Sequence, residues 1–140
     1  MAITVYPTFL QNLLASATGP DLDNAATDVR IALVSAGYTY NAAHDFLDDL
    51  GANVEATTPA LSSKTVTDGV FDAADPTITD ASGDEVVAAV VYLHTGTAST
   101  SRLIAYIDED DVGAPISLLL NGGDVTLTLN SAGIFDLANP

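Results

Sequence analysis

Apolar positions near the start of the chain follow a helical period. Tyr6, Phe9, Leu10, Leu13 and Leu14 fall on one side of a helical wheel, Pro7 suits a first turn, and Gly19-Pro20 supplies a stop. This spacing predicts one helix over residues 7–17, within a helical amino-terminal segment covering residues 1–20. From Asp28 to Ser35 the period changes to two, with Val29, Ile31 and Leu33 alternating against Arg30, Ala32 and Val34. That pattern predicts a strand with one strongly apolar face. A short second helix is expected next, capped by Asn41, with Phe46, Leu47 and Leu50 on its apolar side and Gly51 closing it. Asp48 and Asp49, read as lying near its negative carboxyl-terminal dipole, should keep it brief.

Beyond about residue 54, short apolar or Thr-rich runs recur between turn residues at roughly 8–12-residue spacing, the punctuation of a β-protein. Lys64–Thr67 and Val70–Asp72 flank Asp68-Gly69, and Ile116–Leu120 and Val125–Leu129 flank Asn121-Gly122-Gly123-Asp124. Both read as hairpins, because Asp-Gly and Asn-Gly steps accept the positive φ angles of tight turns. Val86 to Leu93 is apolar almost throughout and predicts a central strand covered on both sides. Leu103–Ile107 adds another strand and Ile134–Leu137 a short last one. The expected fold is mainly β, a sandwich or small barrel of about seven or eight strands, with an amino-terminal helix and one short additional helix. No domain boundary or internal repeat interrupts the pattern, so residues 1–140 read as a single domain.

Charge changes this picture most. Nineteen acids stand against Arg30, Lys64 and Arg102, for a formal net charge of -16. Most carboxylates therefore lack a basic partner within the chain, which favours a salty medium, bound cations or a basic partner surface. Nucleic acid is excluded as a partner, since phosphate binding needs a basic stripe. No apolar run approaches the ~20 residues of a membrane helix, so no membrane partner is expected. The start of the chain has no positive residue before its apolar positions and does not read as a signal peptide. The absence of cysteine removes disulfides, thiolate metal sites and cysteine nucleophiles.

Candidate chemistry is sparse. His44 and His94 are fifty residues apart, and a triad built from His94 with Ser99 or Ser101 lacks the G-x-S-x-G elbow. The run Asp108-Glu109-Asp110-Asp111 before Gly113 is oxygen-rich, as Ca²⁺ prefers, but Leu119 stands where a Ca²⁺-binding helix-loop-helix would place its final Glu. Asp21, Asp23 and Asp28 form a similar acidic loop, and turn formation accounts for both. A Ca²⁺-dependent binding module is the alternative these loops raise. Gly122-Gly123 lacks the lysine and helix of a phosphate loop, and no tryptophan offers a sugar platform. No catalytic residue, cofactor or resident metal is therefore expected. Tyr38 and Tyr40, flanking Thr39 in a loop, are candidate interface anchors together with Tyr6, Phe9 and Leu10 of the amino-terminal segment.

Several stretches, taken in order, resemble one group of proteins. They are the Tyr6–Leu14 helix, VRIALVSAGYTYN, HDFLDDL, LSSKTVTDGVFDAADPTIT, VVAAVVYLHTGTASTSRLIAYID and NGGDVTLTLNSAGIFDL. Together they span nearly the whole chain and resemble the small structural proteins of tailed bacteriophages, most of all capsid decoration or cement proteins. The most specific pieces are DGVFDAAD, the strand-loop-strand unit from Tyr92 to Asp108, and NGGD. The resemblance implies a virion component on the outer capsid surface that clamps neighbouring major capsid subunits and oligomerises, often as a trimer. A tail or baseplate accessory protein is the nearest alternative. The chain departs from that group in being more acidic and poorer in lysine, which fits a saline setting.

Overall fold

The structure, a computed structural model, describes residues 3–16 and 20–137. It is mainly β, with three antiparallel sheets and an amino-terminal helix. The principal sheet has five strands: β1 (Ile3–Val5), β2 (Val29–Ser35), β3 (Val54–Thr57), β7 (Val86–Leu93) and β8 (Leu103–Ile107), in spatial order β1-β8-β7-β2-β3. The long apolar strand β7 is central, as its composition predicts. Register aligns Ile31, Val91, Ala105 and Val5 in one row across four strands. Their β-branched and small side chains suit such a pleated, covered surface.

β2 departs from expectation. Ala32 and Val34, assigned to its weaker face, are as buried as Ile31 and Leu33, so both faces of this strand are covered. Alternation between large and small apolar residues therefore marks two buried faces here, whereas alternation with polar residues would mark one. β1 was not anticipated inside the helical amino-terminal segment. It pairs with β8, and Tyr6 continues the ladder by donating its N–H to Ile104 O at 2.9 Å. Residues 45–47 then take over the same edge: Leu103 N–H donates to Asp45 O and Leu47 N–H to Ser101 O. The outer edge of β8 is thus covered by two segments in relay, which removes an open ladder from solvent.

Helix α1 (Pro7–Ala15) follows directly, with Pro7 in the first turn. Residue 17, the expected end, and Gly19 of the stop lie outside the described residues. The second helix is a 3₁₀ segment, Leu47–Asn53, and it starts later than Asn41. Asn41 instead closes its own turn, its side-chain oxygen accepting the N–H of Ala43 at 2.9 Å. Asp49 sits in the first turn of the 3₁₀ segment, where its carboxylate accepts the N–H groups of Asp45 and Phe46. These bonds outweigh burial and hold its carboxyl below the ordinary aspartate range, reversing the expected dipole clash. Gly51, at φ 60° and ψ -140°, breaks the segment, which resumes for one turn to Asn53.

A second sheet orders β10 (Phe135–Asp136), β5 (Val70–Asp72) and β4 (Thr65–Thr67). The Asp68-Gly69 turn between β4 and β5 has positive φ at both residues, 52° and 87°, as a tight hairpin requires. Gly133 delivers the chain to β10 at φ 113°, and a Cβ there would lie 2.2 Å from Val70 Cγ1, so no larger residue fits without displacement. The second expected hairpin does not form. Leu118 pairs with Val86, while β9 (Val125–Thr126) pairs with β6 (Thr77–Ile78), leaving 116–120 and 125–129 bound to different partners. The Gly122-Gly123 turn instead docks on Ala81, which accepts from Gly122 N–H and donates to Gly123 O.

Candidate functional site

An apolar groove of about 320 Å³ lies between α1, the loop after it, and the β10-β5-β4 sheet. Its floor follows from register. Val66, Phe71 and Phe135 are direct cross-strand partners on three successive strands, and the two phenyl rings lie 5.3 Å apart between centroids. Phe71 and Phe135 are buried, whereas Val66, on the edge strand, is 46% exposed. Leu13 of α1 and Leu22 of the following loop form one wall, and Asp21 and Asp23 stand exposed at the rim. Beside this wall α1 presents Leu10, 37% exposed, and Leu14, 90% exposed. Leu10, Leu13 and Leu14 are helical neighbours at i, i+3 and i+4, so the exposed stripe adjoins the groove. Such a surface accepts apolar side chains of another molecule.

Of the residues expected as interface anchors, Tyr6, Phe9 and Tyr38 are buried in the chain's own core, a correction to their expected surface role. Tyr40 is partly buried and packs its ring 5.2 Å from Tyr6 and 5.4 Å from Tyr106. Leu10 alone of the five is exposed. Within this tyrosine cluster the Tyr6 and Tyr38 hydroxyls are satisfied internally: Tyr38 Oη lies 2.9 Å from Tyr6 Oη and 2.9 Å from His44 Nδ1. Burial pushes the Tyr6 phenol far above the usual tyrosine range, with the Tyr38 hydrogen bond adding to the effect. Burial also raises Tyr38 and Tyr106, so the cluster is neutral and cohesive.

The acidic loops are closed by their own backbone. Asp110 Oδ1 accepts the N–H groups of Val112 and Ala114, tying Asp108–Ile116 into a hairpin-like turn. In the loop after α1, Asn24 caps Ala26, while Asp28 is drawn off into a bidentate pair with Arg30 at 2.9 Å. That bond holds the Asp28 carboxyl below its ordinary range. Among the described residues no three His, Asp or Glu side chains are grouped so as to hold a metal ion. Ser101 Oγ donates to Thr97 O and accepts from Thr95 N–H rather than meeting an imidazole. The three basic side chains are all engaged: Arg30 with Asp28, Lys64 Nζ with Thr27 O, and Arg102 over the Phe46 ring at 4.7 Å. No helix among the described residues is long and apolar enough to cross a membrane.

The groove residues Leu22, Val66, Phe71, Phe135 and Leu137 were not singled out as a site by sequence reasoning, because three distant segments contribute them. The available signal was a Val and a Phe placed opposite each other across the Asp68-Gly69 turn. No known family model matches the chain, and no curated protein matches it.

Proposed function

We propose that this protein is a bacteriophage capsid decoration protein, which bridges major capsid subunits on the outer surface of the virion and stabilises the shell. The observation that carries the reading is the exposed Leu10–Leu14 stripe beside an open apolar groove on an otherwise acidic β-body. Contiguous exposed hydrocarbon on a small domain marks a protein-binding surface. A charge of -16 repels genome phosphate and suits the outside of the shell. The order of motifs along the chain, with its resemblance to phage structural proteins, supplies the identity of the partner, and the same resemblance favours a trimer as the working unit.

Shell stabilisation then follows from mass action, since a ligand bound to the assembled state alone raises its resistance to heat. Many identical contacts and an oligomeric ligand multiply the effect. The test is to add purified protein to undecorated phage heads and follow co-sedimentation and heat release of DNA. Binding with increased heat resistance is expected, and its loss in the folded double variant Leu10→Asp, Leu14→Asp. Wild-type protein that stays in the supernatant refutes the proposal.

A further inference from the structure

The groove has a second property beyond its apolar lining. Among the described residues β4 pairs only with β5, so the backbone N–H and C=O groups that its alternate residues turn outward pair with no strand. Thr65, Val66 and Thr67 are all exposed, and Val66 ends the cross-strand row Phe135–Phe71–Val66 at that edge. An additional strand laid along β4 would pair this backbone and set one of its own side chains next to Val66, over the groove.

Charge selects the occupant. The rim carries Asp21 and Asp23 and the turn at the end of β4 carries Asp68, against one cation, Lys64, just before β4, whose Nζ donates to Thr27 O; Arg30 is paired with Asp28 and Arg102 lies over Phe46. A second copy of this chain would bring a further -16 to the same place. We infer that β4 and the groove receive an extended segment of a partner protein, with one bulky apolar side chain seated beside Val66 and lysine or arginine flanking it to meet the rim aspartates. Backbone pairing gives the segment its orientation, the apolar side chain its anchor, and the flanking cations their preference for this acidic edge. The inference rests on the capsid reading only for the name of the partner, not for its chemistry.

The test uses the full chain, isotope-labelled, titrated to millimolar concentration with three synthetic peptides. One is Lys-Val-Phe-Val-Lys, one replaces both lysines with glutamate, and one replaces Phe with Ser. The lysine-flanked Phe peptide should shift the amide signals of Val66, Gly69 and Leu137. Both other peptides should bind about tenfold more weakly, the difference set by charge shrinking in high salt. Asp21→Asn with Asp23→Asn, both exposed and safe to fold, should narrow the gap between the lysine and glutamate peptides. Equal binding of the two, shifts confined to other regions, or no shifts at all overturn the inference. So does reduced self-association of a Val66→Asp variant in sedimentation, which would identify a second copy as the occupant. Heads bound without peptide shifts would sink this inference and leave the capsid reading standing, while peptide shifts without head binding would do the reverse.

Discussion

The five-stranded sheet and the segment from Asp108 to Leu137 both use alternating side chains, yet they are held together differently. In the sheet, β2, β7 and β8 form long ladders, with one register shift in each pairing, and contribute fully buried residues such as Val29, Val90 and Ile104. In the later segment, Ile116, Leu118 and Leu120, and then Val125, Leu127 and Leu129, turn half-buried faces to the same core while the residues between them are mostly exposed. Hydrogen bonding there comes from isolated bridges, two two-residue ladders, and turns closed by Asp110, Asn121 and Asn130 side chains. Alternation fixes which side of a segment faces inward. It does not choose the neighbouring strand.

The contrast can be tested by substitution, and the largest effect is expected in the sheet. Ile104→Ala removes a fully buried side chain from β8 and should cost about 2–5 kcal/mol, read as a lower urea midpoint at unchanged slope. A loss as small as that of a half-buried site would mean that the two regions share one level of order. Gly133→Ala should come next, at about 1–3 kcal/mol, because the new methyl meets Val70 at a strained φ. If it proves neutral, β10 is loosely docked. Asp110→Ala takes the acceptor from two turn N–H groups in a solvent-exposed site. Its cost should be about 1 kcal/mol, with faster amide exchange confined to residues near 112–114.

The smallest effect concerns the Asp28–Arg30 pair at the entrance to β2. Its side chains remain 28% and 31% exposed, so solvent screening keeps the pair's contribution under about 1 kcal/mol. Arg30 holds the folded Asp28 pKa below the ordinary aspartate value of 3.8, so the stabilisation is present above that value and lost as pH falls through the folded one. Wild type and Arg30→Met should therefore differ near neutrality and converge in acid, when urea midpoints are compared across pH. A gap that persists in acid would assign the effect to packing of the arginine stem.

Much of the fold was legible because its signals are local. Asp68-Gly69 specified a hairpin within a few residues, and the unbroken apolar run of Val86–Leu93 placed β7 at the centre. The Asn121–Asp124 turn misled for a physical reason: its glycines permit a hairpin, but Val86 and Ile78 offer the flanking segments other partners. Tyr6, Phe9 and Tyr38 are core residues rather than surface anchors for a related cause. An aromatic in a loop or on a helix is equally suited to a surface or a core, and for Tyr38 the choice depends on β8 supplying Tyr106 from far along the chain. The groove was the least legible, since its floor exists only once β4, β5 and β10 are aligned.

The tyrosine cluster also gives the molecule a built-in optical reporter. The chain has five tyrosines and no tryptophan, and four of the five, Tyr6, Tyr38, Tyr40 and Tyr106, are in one assembly of rings. Tyr6 enters it from the junction of β1 and α1, whereas the others arrive from a loop and from β8. Near-ultraviolet circular dichroism and intrinsic emission therefore report on the packing of these rings, to which the amino-terminal segment contributes Tyr6. Loosening of that segment can thus be followed in unlabelled protein.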